Sequence, residues 1–429
     1  MKFTAPALLW VLICVFLWTY VIEAPLRYVL FLLHLSPLLY LRDGMMVMIV
    51  VGFVIASAKK LRISPSTVPW LIVISVSSIT AMAFSPTMNL WIMGLKIMLP
   101  LLVGFLCYRY CEARLWNTSP SITLMAMVAL VGLGANYFFS FPWDNLNYSI
   151  GNIQIQGVYN WTMLEVLHRL NGFANGPQKI ADQILIVGLY FFLKCRKSPA
   201  QFALWGVVLG ALLLTTVKTL IVSWIIIGIA SMIYSLKGLG RLAVRWSLVV
   251  PLLLTIALPV LSMKNQTGSF ASEDVIQDPL YASMFARLGS TWPQGFKLIL
   301  DQGSFIFGRG LGTMGGGQMY FEPDQFNPGD NLFLYLYGNV GILGTLVIPW
   351  IFWRIVRRSP ERTFSDRYWL FFALSFFIIG ITSHGIEDGF MAMFYGFLLG
   401  HLCRRSSSAE RISESQTEPS VPALLLEKQ

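Results

Sequence analysis

Apolar stretches long enough to cross a membrane recur along almost the whole chain, separated by short polar turns. Within each stretch the apolar residues are continuous rather than alternating, which favours helices over the strands of a membrane barrel. Because a spanning helix needs about 20 mostly apolar residues, the pattern predicts an all-α polytopic membrane protein with about 12 or 13 transmembrane helices. The stretches cover residues 7–22, 27–41, 44–58, 66–84, 90–108, 121–139, 178–194, 200–216, 219–236, 246–262, 331–353, 368–384 and 386–403.

Composition and charge agree with this class. The 429 residues are 56% hydrophobic and only 12% charged, whereas soluble domains carry about 25% charged residues. The net charge of +10 comes from short basic clusters between apolar stretches, such as Lys59–Arg62 and Arg354–Arg358. That distribution follows the positive-inside rule and indicates cytoplasmic turns, not nucleic-acid binding. None of the five cysteines has a metal-ligand spacing, so we expect no metal site.

The charge pattern divides the chain into four parts. Residues 1–262 form an N-terminal helix bundle, in which the segment Glu23–Arg27 indicates a break within a re-entrant pair of helices. Residues 263–330 form a large outer loop, and the spacing of its apolar residues over Tyr281–Leu300 predicts an amphipathic helix at the membrane surface. Residues 331–403 form the C-terminal helices, and the Ser- and Glu-rich residues 404–429 predict a disordered cytoplasmic tail.

Basic residues in the predicted outer segments are candidates for chemistry, since the positive-inside rule makes them rare there. Arg169 and Lys218 each precede an apolar stretch, and Arg287 and Arg309 lie in the large loop. Each could bind an anion such as a lipid phosphate. The alternatives are a surface ion pair of Arg169 with Glu165, a snorkelling Lys218, ordinary lipid head groups at Arg287 and a solvated Arg309.

Carboxylates on the same side offer a proton acceptor. Asp330 directly precedes the stretch that begins at Asn331, so it is either a general base for a hydroxyl group or the N-cap of that helix. Glu387 and Asp388 lie in the turn between the last two stretches. They are an alternative base and a means of orienting a cation, or simply part of a solvated hairpin.

The segment Gly308–Gly344 joins a glycine-rich polar loop to an apolar helix. Its sequence is GRGLGTMGGGQMYFEPDQFNPGDNLFLYLYGNVGILG. It lacks the GK[ST] of a nucleotide-binding P-loop, and no strand–helix unit surrounds it. Irregular backbone and fixed polar groups therefore meet the membrane surface here, which is where we expect the chemistry of a membrane enzyme.

These motifs, in this order, resemble those of the O-antigen ligase and Wzy-type polymerase superfamily over about Arg169–Leu346. The run from Arg169 to Pro177 looks like the family's Arg-x-x-Gly-x-x-x-x-Pro entry to a helix. Thr215-Thr-Val-Lys218 looks like its Thr-x-Ser-Arg motif with lysine for arginine, and Arg287 with Trp292 looks like its Arg-x-x-x-x-Trp. The glycine motifs and Asp330-Asn331 complete the match, although ligases tend to have histidine at the position of Asp330.

The resemblance implies a metal-independent, inverting glycosyltransferase with a GT-C-like fold and no cofactor. It would act on an undecaprenyl-diphosphate-linked glycan at the periplasmic face of a bacterial inner membrane. Arg169, Lys218, Arg287 and Arg309 would bind the diphosphate, and Arg287 and Asp330 would be catalytic. Implied partners are the lipid bilayer, a chain-length regulator and a flippase.

The leading hypothesis is a polymerase that joins lipid-linked repeat units of O-antigen, capsule or exopolysaccharide. One alternative is a ligase that moves finished glycan to lipid A core or to protein. A transporter or flippase for the same lipid-linked sugar is the rival from another class, and charges at the bilayer midplane would support it. Most predicted spans are free of charge, Lys96 being the main exception, which favours chemistry at the outer surface.

Overall fold

The computed structural model describes most of the chain. The described residues are 5–59, 68–85, 87–117, 119–144, 146–150, 153–158, 162–163, 167–195, 199–236, 238–265, 282–358 and 363–403. The predicted cytoplasmic tail at 404–429 and residues 266–281 of the large loop lie outside them.

Helices make up most of the described chain, as the apolar pattern predicts. The N-terminal set is α1 Ala5–Val21, α2 Glu23–Leu32, α3 Tyr40–Lys59, α4 Val68–Phe84, α5 Met88–Asn117, α6 Ser119–Phe138, α7 Pro177–Lys194, α8 Pro199–Thr215, α9 Lys218–Tyr234, α10 Gly238–Ser247 and α11 Val249–Ser262. The large loop contains α12 Ala282–Ala286, α13 Trp292–Gln302 and α14 Gly316–Phe321, and the C-terminal set is α15 Leu332–Thr345, α16 Val347–Arg357, α17 Phe364–Gly380 and α18 Gly389–Cys403.

The predicted apolar stretches coincide with these helices or with a bent pair, except for the stretch 27–41. That stretch is divided between the end of α2 at Leu32, a 3-10 helix at Ser36–Leu39 and the start of α3. Among the described residues, four helices are long and apolar enough to cross a membrane, or six if each bent pair counts as one span. The pairs are α1–α2, which bends by 82°, and α15–α16, which bends by 56°. The first bend lies at Ile22, next to the predicted break Glu23–Arg27, and that segment is itself helical. A polytopic membrane protein is therefore confirmed, and the count of about 12 or 13 spans stays a prediction.

Two short hairpins lie in the segment Ser140–Pro177, which the charge pattern places outside and which we call the first outer loop; they qualify the all-α prediction. Strand β1, Asn147–Ile150, pairs antiparallel with β2, Ile153–Gln156. Strand β3, Thr162–Met163, pairs with β4, Leu167–His168, which ends immediately before Arg169. The hairpins add no layer to the helical bundle, but the second one leads the chain to Arg169.

A single apolar core unites the N-terminal and C-terminal helices, because buried side chains from Trp10 to Leu402 form one cluster. Helix α5 packs closely along α18, which carries the sequence Gly396-x-x-x-Gly400. A Cβ atom on Gly396 would meet the carbonyl oxygen of Leu101, and one on Gly400 would meet Tyr108. Small residues at this spacing let two membrane helices approach closely, so the predicted parts 1–262 and 331–403 share one folding core.

The predicted amphipathic helix of the large loop is present but broken. After α12, residues Arg287–Thr291 form a π-helical turn, and α13 follows with Pro293 in its first turn. Proline is tolerated there because the first amide groups of a helix have no partner within it. A π-helical turn often marks a functional position, and this one carries Arg287.

Segments predicted to lie outside meet at one end of the bundle, which we call the polar end. The carbonyl of Phe173 accepts a hydrogen bond from the backbone amide of Ala24 (2.9 Å). The side chain of Asn331 donates to the carbonyl of Ile381 (3.0 Å). The first contact joins the first outer loop to α2, and the second joins the end of the large loop to the α17–α18 turn. Arg169 in the first outer loop is also within electrostatic range of Arg287 in the large loop, so these outer segments are neighbours in space, as the charge pattern predicts.

Turns predicted to be cytoplasmic meet at the opposite end. The guanidinium of Arg245 donates to the carbonyl of Arg358 (2.8 Å), and that of Arg354 donates to the carbonyl of Leu402. The predicted outer segments and the predicted cytoplasmic turns therefore lie at opposite ends of the bundle, as the charge pattern predicts. The assignment of the polar end to the periplasm stays a prediction.

Candidate active site at the polar end

Asn331 is the N-cap of α15. Its side chain accepts a hydrogen bond from the amide of Leu334 (3.0 Å) and donates to the carbonyls of Thr255 and Ile381 (3.0 Å each). The residue is fully buried. Its side-chain amide therefore connects α11, α15 and the end of α17 through hydrogen bonds. The capping role left open for Asp330 therefore belongs to Asn331, and the Asp330 carboxylate has another use.

Asp330 forms an ion pair with Arg287, the residue that opens the π-helical turn. Arg287 Nη2 lies 3.1 Å from Asp330 Oδ2, and its Nη1 donates to the backbone and hydroxyl oxygens of Ser283. The Trp292 indole donates to the Asp330 carbonyl (3.3 Å). Burial raises the pKa of the Asp330 carboxyl, and the charge and hydrogen bond of Arg287 oppose that rise. The structure thus brings together the two residues predicted to be catalytic, with both side chains partly accessible.

Arg169 lies close to Arg287. Burial lowers the pKa of the Arg169 guanidinium, and the positive charge of Arg287 lowers it further. The two residues are 118 positions apart in sequence (287 − 169) and come from different loops. Two like charges brought together in a partly buried site repel each other, and an anion between them would relieve that repulsion.

Lys218 is the first residue of α9, immediately after a tight turn. Thr216 in this turn has a left-handed backbone (φ 54°), which is uncommon for a β-branched residue. The neighbouring hydroxyl of Thr219 lies 2.6 Å from that of Thr382, one residue after the carbonyl that Asn331 binds. The structure therefore places the Lys218 turn at the polar end, against the same α17–α18 turn that positions Asn331.

Arg309, the fourth predicted diphosphate ligand, has a different environment. Its guanidinium is 2% exposed and forms a two-pronged ion pair with Glu322, with Nη2–Oε1 2.8 Å and Nη1–Oε2 3.1 Å. It also donates to the side chain of Gln302 and the carbonyl of Thr313. Arg309 is therefore not solvated, because protein groups surround its guanidinium, and its role as a diphosphate ligand stays a prediction. It links three parts of the large loop.

The glycine-rich loop packs against helices instead of lining an open phosphate site. A Cβ on Gly310 would strike Ala81 in α4, and one on Gly312 would strike Leu90 in α5. Both glycines have left-handed backbones, which other residues rarely adopt. The Gly312 amide also donates to the Asn339 side chain (2.8 Å). Because they have no side chain, these glycines allow the loop to pack closely against α4, α5 and α15.

At its far end the same loop surrounds a carboxylate. Glu387 accepts a hydrogen bond from the Gly316 amide (2.7 Å), and the Tyr335 hydroxyl donates to it as well. Gly315 has φ 87°, and a Cβ there would strike Glu387 Oε1. Glu387 is half-buried, and Asp388 is buried and caps α18 through the amide of Phe390. The α17–α18 turn is therefore not a solvated hairpin.

His384 in the same turn is held in a neutral form. Its ring stacks on that of Tyr335, with centroids 3.8 Å apart and planes 11° apart. Its Nδ1 accepts from the Ile386 amide (3.3 Å), and a hydrogen bond joins it to the backbone of Pro328. Burial lowers the pKa of this imidazole to about 3, so it is a poor proton acceptor and a structural partner of Tyr335.

A buried charged network that the sequence analysis missed lies beside these residues. Glu23 is 1% exposed and pairs with Arg27 (2.7 Å), Arg42 (3.3 Å) and Lys179 (3.3 Å). Lys179 also acts electrostatically on Glu387. The break between α1 and α2 was the available signal, because a carboxylate there faces the interior and needs counter-charges.

An apolar cavity lies between α4, α5 and the helices from α15 to α18. Leu311, Leu332 and Ile386 line it. Leu332 directly follows Asn331, and Ile386 directly precedes Glu387. Leu336 and Val340 continue the lining along α15. The cavity could hold part of a hydrocarbon chain whose polar head lies among the charged residues of the polar end.

Comparison of the chain with models of protein families, with curated proteins and with solved structures gives no match. The assignment of a function therefore rests on the residues and geometry of the polar end.

Proposed function

We propose that the protein is a polysaccharide polymerase that joins undecaprenyl-diphosphate-linked repeat units at the periplasmic face of the inner membrane. The observation that carries this proposal is the approach of Arg169 and Arg287 at the polar end. Two guanidiniums from separate loops suit a diphosphate, because each can donate two parallel hydrogen bonds to phosphate oxygens. The adjacent apolar cavity suits the lipid chain of the same substrate.

The residues fit the charge changes of a glycosyl transfer. An acceptor hydroxyl oxygen attacks the anomeric carbon of the donor sugar, the bond from that carbon to the phosphate oxygen breaks, and lipid diphosphate leaves with the electron pair. Arg169 and Arg287 would stabilise the negative charge that develops on the leaving group. Lys218 at the α9 turn is a further diphosphate ligand in this proposal, and a carboxylate takes the hydroxyl proton, giving inversion.

Deletion of the gene, followed by separation of surface glycans by length, tests the proposal. A polymerase deletion leaves single repeat units on the surface. Long polymer retained on the lipid carrier would instead identify the ligase alternative. Normal length together with normal attachment would contradict both. Re-expression of the wild type must restore the long glycan, and Arg287→Ala must fail to do so at an equal protein level.

A transporter for the lipid-linked sugar is the second candidate, and the buried network around Glu23 favours it. Asp182 in α7 and Asp388 are also buried, and the negative charge of Asp388 acts on Asp182. Ionisable groups inside a helical bundle are typical of transport pathways. Proteoliposomes containing the purified protein and lipid-linked repeat units separate the candidates, because a transporter moves the units across the bilayer without lengthening them.

A further inference from the structure

Glu387 is held by the glycine-rich loop in a fixed orientation. Its Oε1 accepts the Gly316 amide, the Tyr335 hydroxyl supplies a second hydrogen bond, and left-handed Gly315 leaves the space that the carboxylate occupies. The side chain is nevertheless only half-buried. A carboxylate that is held in a fixed orientation and keeps some exposure to solvent can serve as a proton acceptor.

The groups around Glu387 set its charge state. Burial raises the pKa of this carboxyl to about 7, the positive charge of Lys179 on α7 lowers it, and the negative charge of Asp330 raises it. Asp388, the next residue, directs its carboxylate to the amide of Phe390. His384 is neutral and stacked against Tyr335. A base is most effective when its pKa lies near the working pH, and Glu387 meets that condition.

Asp330 differs in that its carboxylate already has a cationic partner. The ion pair with Arg287 at 3.1 Å stabilises the ionised form and orients the guanidinium. Protonation of Asp330 during a reaction would weaken the hold on Arg287 while diphosphate charge is developing. The two carboxylates are close enough to influence each other electrostatically, so their roles can be divided within one site.

We infer that Glu387 is the proton acceptor of the transfer reaction and that Asp330 is a positioning residue for Arg287. This inference rests on the proposed function. The acceptor hydroxyl passes its proton to a Glu387 oxygen as the new carbon–oxygen bond forms. The bond between the anomeric carbon and the diphosphate oxygen breaks, and its electron pair leaves with the lipid diphosphate. No further reactant is needed for the step to balance.

Purified protein in proteoliposomes tests the inference, with undecaprenyl-diphosphate-linked repeat units extracted from the deletion strain as substrate. We expect Glu387→Gln to lower kcat by about 10²–10⁴-fold, the usual contribution of a general base, with little change in KM. We expect Asp330→Asn to raise KM for the lipid-linked units, because Arg287 loses its orientation. Thermal unfolding of each variant establishes that it is folded.

The pH profile gives a second measurement that a purely structural role of Glu387 would not affect. Wild-type kcat should fall below about pH 7, where Glu387 becomes protonated. The Tyr335 hydroxyl favours the ionised form of Glu387, so Tyr335→Phe should move this acid limb to higher pH. The variant also keeps the ring that stacks on His384, which makes it informative if Glu387→Gln does not fold.

The possible outcomes separate the two hypotheses. If the wild type polymerises the units and Glu387→Gln keeps normal kcat, the inference is wrong and the proposed function stands. An Asp330→Asn variant that loses kcat and the acid limb together would also overturn it, with the roles reversed. A wild type that does not polymerise the units would overturn both hypotheses.

Discussion

Arg309→Met should destabilise the protein strongly without removing a substrate ligand. The Arg309 guanidinium is 2% exposed and Glu322 is 11% exposed, so their ion pair is shielded from water. Among the described residues, the substitution leaves Glu322 with only the Gln318 amide as a side-chain hydrogen-bond donor. It also removes the donor to Gln302. Breaking a buried pair from one side costs about 3–5 kcal/mol, and we expect a loss of that size.

The assay is unfolding of the purified protein in mixed micelles as the fraction of denaturing detergent is increased. The matched variant is Arg309→Met with Glu322→Gln, which neutralises both partners and should recover most of the lost free energy. Arg287→Met is the second comparison. Its ion pair with Asp330 is partly exposed, and exposed pairs contribute about 0–1 kcal/mol. We therefore expect nearly normal stability from Arg287→Met but no polymer.

The activity of the folded fraction decides whether Arg309 is structural. Polymer formed per mole of folded Arg309→Met protein should equal that of the wild type. A variant with wild-type stability and no activity would show that Arg309 binds the diphosphate, as the family resemblance implies, and that the ion pair with Glu322 opens during the reaction. A stable and active variant would refute the magnitude derived from burial.

Three further substitutions test the site and its surroundings. Asn331→Asp keeps the helix cap but removes two buried donors, so the free energy of unfolding should fall by at least about 2 kcal/mol in the same detergent titration; an unchanged value would contradict the hydrogen bonds from Asn331 to Thr255 and Ile381. Leu336→Trp should fill the apolar cavity and raise KM for lipid-linked units by about tenfold or more, whereas Leu343→Trp on the exposed face of α15 should not, and equal effects would exclude the cavity as the lipid site. Gly315→Ala should abolish polymer formation because its Cβ meets Glu387 and its backbone is left-handed, while Gly134→Ala, with open space around it, should leave polymer length normal.

Helix positions were predictable from the sequence because each depends on a local property. A continuous apolar run specifies a buried or lipid-facing helix wherever it occurs, and the break before Glu23 follows from a short polar segment between two such runs. The basic clusters then assigned each turn to the cytoplasmic or the outer side of the membrane, and the contacts at the polar end agree with that assignment. None of these inferences required knowledge of which distant residues meet.

Roles of single charged residues were less predictable because they depend on distant partners. Asp330 and Asn331 are both good N-caps, and only the positions of Thr255 and Ile381 give the cap to Asn331. Glu387 receives its hydrogen bond from Gly316, which lies 71 residues away. Sequence spacing cannot rank such alternatives, since burial and pairing arise only when the helices pack.

Exposure separates the charged residues of the polar end by role. Arg309 and Glu23 are almost fully buried, and each is matched by opposite charges at hydrogen-bonding distance. Burial at that level is tolerable only with such matching, so these residues hold loops and helices in place. Arg287, Asp330 and Glu387 remain partly accessible, and Arg169 lies near the like charge of Arg287. A diphosphate beside the two guanidiniums would accept hydrogen bonds from both of them. The glycine-rich loop connects the buried structural charges to the accessible ones. Arg309 at its beginning pairs with Glu322, and Gly316 further along holds Glu387 by a hydrogen bond.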